Sequence, residues 1–211
     1  MKKAEHFFTD EEKEKIRRAV ARAEGRSSGE IVPMVIDRSG HYLQFALTGA
    51  ILFTFLIAVI AAAVWPRITA SQLLLGELFT FWLFFQLIQR TGRLWSWLIP
   101  DPLMDKVVAR RAEEAFYEHR LHETRDKTGL LILLSLLERR VHLLADKGIH
   151  EKVPPQTWEN LAGQISAGMK EGHSCQAFCD AIEACGNLLA QYFPKRTDDT
   201  DELSNRLRVG E

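Results

Sequence analysis

"ALTGAILFTFLIAVIAAAVW", residues 46–65, contains no charged side chain. Working outward, Lys, Arg, Asp and Glu are absent from Ser39 to Pro66, and Glu77 is the one charge between Ile68 and Gln89. A helix needs about 20 mainly apolar residues to cross a hydrocarbon layer about 30 Å thick. Leu43–Trp65 exceeds that length. WPRITASQ then reads as a turn, and LLLGELFTFWLFFQLIQ supplies a second segment of similar character. The pattern predicts a helical hairpin that spans a membrane. The competing reading is a buried helical pair inside a larger soluble fold, but core helices of this length seldom lack a polar stripe.

The flanks fit the membrane reading. Trp65 ends the first segment, while Trp95 and Trp97 in RLWSWLIP lie just beyond the second, where amphipathic rings favour the headgroup layer. Arg22, Arg26 and Arg38 precede the hairpin; Arg90, Arg93, Lys106, Arg110 and Arg111 follow it; the connecting loop has only Arg67. That asymmetry predicts both termini on the cytoplasmic side and the loop outside. Glu77 then falls in the outer part of the second span. It reads as an interfacial carboxylate with its head in water, or as a polar contact to a partner helix.

Across 211 residues the net charge is −1. There is no basic face of the kind that replaces phosphate counterions, so a general nucleic-acid binder is excluded. Cys175, Cys179 and Cys185 lack CxxC spacing and read as reduced thiols. The start, MKKAEHFFTDEEKEK, turns acidic before any apolar run, unlike a cleavable signal peptide.

Outside the hairpin the chain alternates helix and strand. Thr9–Glu12 has capping-box spacing ahead of an amphipathic helix bearing Ile16, Ala19, Val20 and Ala23. A strand follows over roughly Glu30–Asp37. DPLMDKVVARRAEEAFYEHRLHE predicts a helix with Val107, Ala115, Phe116 and Leu121 on its apolar side. GLLILLSL, from Gly129, and RVHLLADKG are joined so closely that they form an antiparallel pair. Helices over Gln156–Lys170 and Cys175–Phe193 complete the set. Neither flank alone has enough apolar surface for a core, so residues 1–40 and 101–194 are expected to fold together as one α/β domain. Residues 41–100 form the inserted hairpin and interfacial segment, and 195–211 a polar tail.

FTDEEKEKIRRAVARAE, SGEIVPMVI, TGLLILLSLLERRVHLLADKGI, VPPQTWENL and the run to QYFP before DELSN resemble the TPM domain family, and the ERRV…ADKGI block is the most specific of them. The resemblance is to the bacterial membrane-embedded branch, with an internal two-helix hairpin. It implies a Rossmann-like α/β/α sandwich split by that hairpin, the inner (plasma) membrane as location, and integral membrane partners, LemA-type proteins among them. It also implies a role in assembling or maintaining a membrane complex or, in some members, calcium binding and weak acid phosphatase activity.

The residues offer no GxGxxG, P-loop or HExxH, so candidates are scattered. With the first two strands parallel, Asp37 shares a sheet end with Glu138, Arg139 and Arg140, while Asp146 and Gly148 lie at the other end with Glu30. Arg139 and Arg140, with Arg90 and Arg93, are candidate contacts for anionic lipid headgroups, or a solvated turn with Glu138 paired to an arginine. Asp146-Lys147-Gly148 reads as a turn with Gly148 at positive φ, or as a calcium or magnesium carboxylate shared with Glu30. His119 and His122, three apart on a helix, face one side; two donors fall short of a metal site. The expectation is a membrane-anchored interaction domain that requires no cofactor. The alternative is a calcium- or magnesium-assisted phosphatase acting on phosphomonoesters.

Overall fold

In the computed structural model, which describes residues 3–40, 42–90, 99–197 and 202–210, the Thr9 box closes as its spacing predicts. Thr9 Oγ1 accepts from the Glu12 N–H at 3.2 Å and the Glu12 carboxylate accepts from the Thr9 N–H at 2.8 Å. Two donors that a helix start leaves orphaned are thereby satisfied. Helix α1 (Asp10–Glu24) follows and buries Ile16, Ala19, Val20 and Ala23, the stripe that repeats every three to four residues.

The order continues with β1 (Glu30–Ile36), α2 (Leu43–Val64), α3 (Ala70–Arg90), α4 (Asp101–Glu118), β2 (Gly129–Ser135) and β3 (Arg140–Ala145). A single turn α5 (Lys147–His150), α6 (Pro155–Lys170), α7 (Ser174–Tyr192) and β4 (Arg208–Gly210) complete it. The sheet order is β3-β2-β1-β4, with β1 parallel to β2 and β4, and β2 antiparallel to β3.

Side chains of β1 and β2 alternate between two cores. Ile31, Val35, Leu130, Ile132 and Leu134 pack with α1, α6 and α7 on one face. Val32, Met34, Ile36, Leu131 and Leu133 meet Val108, Ala112, Ala115 and Phe116 of α4 on the other. Both strands are buried throughout. That is why they read as unbroken apolar runs: helices cover both faces of a parallel pair.

The chain divides into two units, one formed by Gly40–Met104 and one by the segment ending at Ser39 together with that from Asp105 onward. In the first, α2 and α3 are long and apolar enough to cross a membrane, and only 11% and 6% of their apolar windows are buried. Leu52, Phe55, Leu75 and Phe79 are all more than half exposed. A core helix pair would hide these side chains. The two helices meet through a face bearing Ala46, Ala50 and Thr54, and Phe53 stacks on Phe84 at 4.0 Å.

Three local expectations differ from the structure. Helix α4 stops at Glu118, because Arg120 takes a left-handed φ of 57° and a separate 3-10 turn, Leu121–Glu123, follows; His119 and His122 therefore do not share a helix. Val108 rather than Val107 enters the core. The segment expected as a polar tail returns to the sheet as β4, pairing with Met34–Ile36.

Candidate functional site

At the carboxyl end of the parallel pair, where open α/β sheets place ligands, the structure brings together Asp37, Ser39, Ser135 and Glu138. Register explains it: Ile36 pairs with Ser135, Ser135 pairs with Arg140, and the Leu137 N–H donates to Asp37 O at 3.0 Å. Glu138 is buried, its carboxylate accepting from the Ser39 N–H at 2.9 Å and from the Ser135 hydroxyl. The Ser39 hydroxyl in turn donates to Ser135 Oγ at 3.0 Å. The Asp37 carboxylate accepts from the Ala4 N–H beside a small pocket formed with Lys3, Glu5 and Gly210. A carboxylate saturated by backbone and hydroxyl donors is a structural clasp.

The two turn arginines behave differently. Arg140 reaches Asp105 at 2.9 Å. Arg139 is exposed at the turn with a left-handed φ of 53°. Arg90 is exposed at the end of α3, while Arg93, Trp95 and Trp97 lie outside the described residues.

Glu30 and Asp146 share the opposite end: Glu30 pairs with Gly129, and the Asp146 N–H donates to Gly129 O at 2.8 Å. Their side chains have separate tasks. The Glu30 oxygens accept from the Glu202 and Leu203 N–H groups at 3.1 and 3.3 Å, holding the return to β4. Asp146 Oδ1 accepts from the Lys147 N–H at 2.7 Å, as N-cap of α5; its Oδ2 is buried without a hydrogen-bond partner among the described residues. Gly148 sits inside α5, and the positive φ expected for it is absent; a Cβ there would stand 2.6 Å from Lys127 O and 2.8 Å from Asp126 O. Close approach of backbone, not turn conformation, selects glycine. Among the described residues no three His, Cys, Asp or Glu side chains gather as a metal-holding group, and calcium takes six to eight oxygens. No step through a metal follows from this arrangement.

Two further places emerge from packing. Phe8, Thr9, Glu12, His173, Cys175 and Cys179 line a pocket of about 520 Å³. Burial pushes the Cys179 thiol up to about 12 and raises Cys175 as well, the first helped by Cys175 and the second by Glu12. In the hairpin, α2 and α3 enclose a groove of about 260 Å³ whose one charged side chain is the half-buried Glu77. Opposite it Thr54, buried, donates its hydroxyl to Ala50 O at 2.9 Å. The Glu77 carboxylate has no partner among the described residues.

Residues 95–188 match the family model of the TPM domain. Over that stretch the chain is similar to the TPM domain. The match runs through α4, β2, β3, α5, α6 and most of α7; β1 and β4 complete the domain's sheet from outside that range. Among solved structures, this chain is similar to the BA42 protein from the psychrophilic bacterium Bizionia argentinensis, at 23% identity over 97% of this chain and 96% of that one, with a TM-score of 0.61. That likeness shows the fold. No curated protein matches the chain.

Proposed function

We propose that the protein is a membrane-anchored TPM domain, which binds a larger integral-membrane complex and aids its assembly, maintenance or regulation. One observation carries the reading: the paired central strands β1 and β2 come from either side of an exposed apolar hairpin. Lipid is the solvent in which such side chains need no protein cover. Because β1 and β2 hydrogen-bond to each other, both flanks must lie on one side of any bilayer that the hairpin crosses, and the excess of arginine on the flanks makes that side the cytoplasm. In a bacterial cell this is the inner membrane. At the carboxyl end of β1 and β2 the buried Glu138 carboxylate is occupied by the Ser39 N–H and the Ser135 hydroxyl, which favours a structural role for it.

Native extraction tests this. The protein should co-purify in fixed stoichiometry with integral membrane proteins, LemA-type proteins being the first to look for; a persistent lone monomer would refute the assembly role. Thiol labelling of intact and opened vesicles at Ser28→Cys and at an Arg67→Cys loop site should place the two on opposite sides.

The unpartnered Asp146 Oδ2 favours a second reading, a calcium- or magnesium-assisted phosphatase. The purified protein should then hydrolyse a phosphomonoester when either ion is added, and Asp146→Asn should abolish the rate. Unchanged turnover removes that site.

A further inference from the structure

We propose that the groove around Glu77 receives a spanning helix of a different protein, one that presents a lysine or arginine at the depth of Glu77. The inference deepens the membrane-complex reading and rests on it. Glu77 lies seven residues into α3, roughly 10 Å along the axis from Ala70 at about 1.5 Å per residue, in a helix that is otherwise uncharged until Arg90. A carboxylate at membrane depth is costly unless protonated or paired. No donor within the hairpin meets it: Thr54, across the groove, spends its hydroxyl hydrogen on the backbone carbonyls of Ala50 and Ile51.

The shape suits a helix. Ile51 and Phe55 of α2 form one wall, Leu74 and Phe81 of α3 the other, and Glu77 lies between them. An apolar ridge from a third helix fills such a groove at ordinary interaxial distances, and its cation meets the carboxylate. A second copy of this chain does not supply that cation. From Ser39 to Arg90 its lysines and arginines are Arg67, in the loop, and Arg90, at the far end of α3, and its own Glu77 would repel. Lipid tails carry no charge, and anionic headgroups carry the wrong one.

The full-length protein, labelled with a fluorescent donor, is reconstituted in phosphatidylcholine vesicles with an acceptor-labelled poly-leucine spanning peptide carrying one lysine at the Glu77 depth. The same peptide with leucine at that position is the reference. The lysine peptide should associate at least tenfold more tightly than the leucine peptide, and Glu77→Gln should erase the difference while leaving insertion, scored by resistance to alkaline-carbonate extraction, intact. Equal binding of the two peptides, or a lysine preference that survives Glu77→Gln, overturns the pairing. So does energy transfer between copies of the chain that Glu77→Gln abolishes, which would make the occupant a second copy. An inserted chain without lysine preference refutes this inference alone; a chain that fails to insert refutes the membrane reading with it.

Discussion

Glu138 accepts a hydrogen bond from the backbone N–H of Ser39 at 2.9 Å, across 99 positions of sequence. Ser39 is the last residue of the sheet unit before the hairpin, and Glu138 belongs to the turn between β2 and β3. The contact fixes the point at which the chain leaves the sheet.

Removing that acceptor leaves the Ser39 N–H and the Ser135 hydroxyl without their carboxylate partner. Unmet buried donors cost about 1–3 kcal/mol each, so Glu138→Ala should destabilise the sheet unit within that range and Glu138→Gln by less. Denaturant titration of the detergent-solubilised protein gives the magnitude. Hydrogen exchange at Ser39 should accelerate ahead of exchange in β1.

Gly186 and Gly163 make a matched pair. A Cβ on Gly186 would stand 2.4 Å from Ala23 Cβ and 2.8 Å from Ala23 Cα, where α7 crosses α1. Gly186→Ala should therefore cost about 1–3 kcal/mol through overpacking. Gly163, inside α6, has open space around it, and Gly163→Ala should stabilise by up to about 1 kcal/mol from helix propensity. Thermal or denaturant midpoints moving in the same direction for both would contradict the packing described here.

His142 on β3 is held below its ordinary value chiefly by burial, against the opposing pull of Glu113 and Asp105. His119 is shifted the same way, by burial and then by Arg208. The folded state thus binds fewer protons than the unfolded chain below about pH 6.5. Stability should rise with pH through that window and be lost progressively on acidification, the loss becoming complete below the folded-state values. Denaturation midpoints between pH 5 and 8 read this directly, and His142→Gln should flatten part of the slope; an unchanged slope would remove His142 as a contributor.

All three thiols should be slow nucleophiles. Burial pushes Cys185 up to about 12, like Cys179, and the thiolate is the reactive form. With a disulfide reagent at pH 8 the native protein should label Cys175 and Cys179 far more slowly than a free thiol. Cys185 should label only on unfolding; rapid native labelling of Cys185 would contradict its place in the core.

The architecture was legible wherever a pattern was local. The Thr9 box, the apolar runs that became α2 and α3, and the unbroken Leu130–Leu134 strand each follow from spacing within one short stretch of chain. What escaped depended on distant partners. Residues 208–210 look polar in isolation, yet β4 forms because the free edge of β1 accepts it, with Glu30 securing Glu202 and Leu203 on the way. Gly148 reads as a turn residue until the backbone of Asp126 and Lys127 is seen against it. The Glu138 clasp had one sequence signal, a carboxylate in a tight strand turn; that Ser39 and Ser135 arrive at the same sheet end depends on register across 99 positions.

The hairpin between β1 and β2 also imposes a timetable. Once β1 has been synthesised, its parallel neighbour β2 lies roughly ninety residues downstream, a wait on the order of 5–20 s at ordinary ribosomal speeds. Throughout it, α1 and a seven-residue apolar strand have neither neighbour to pair with. Sheet closure is therefore a late event, possible only once the whole apolar hairpin and the helix that follows it have been made.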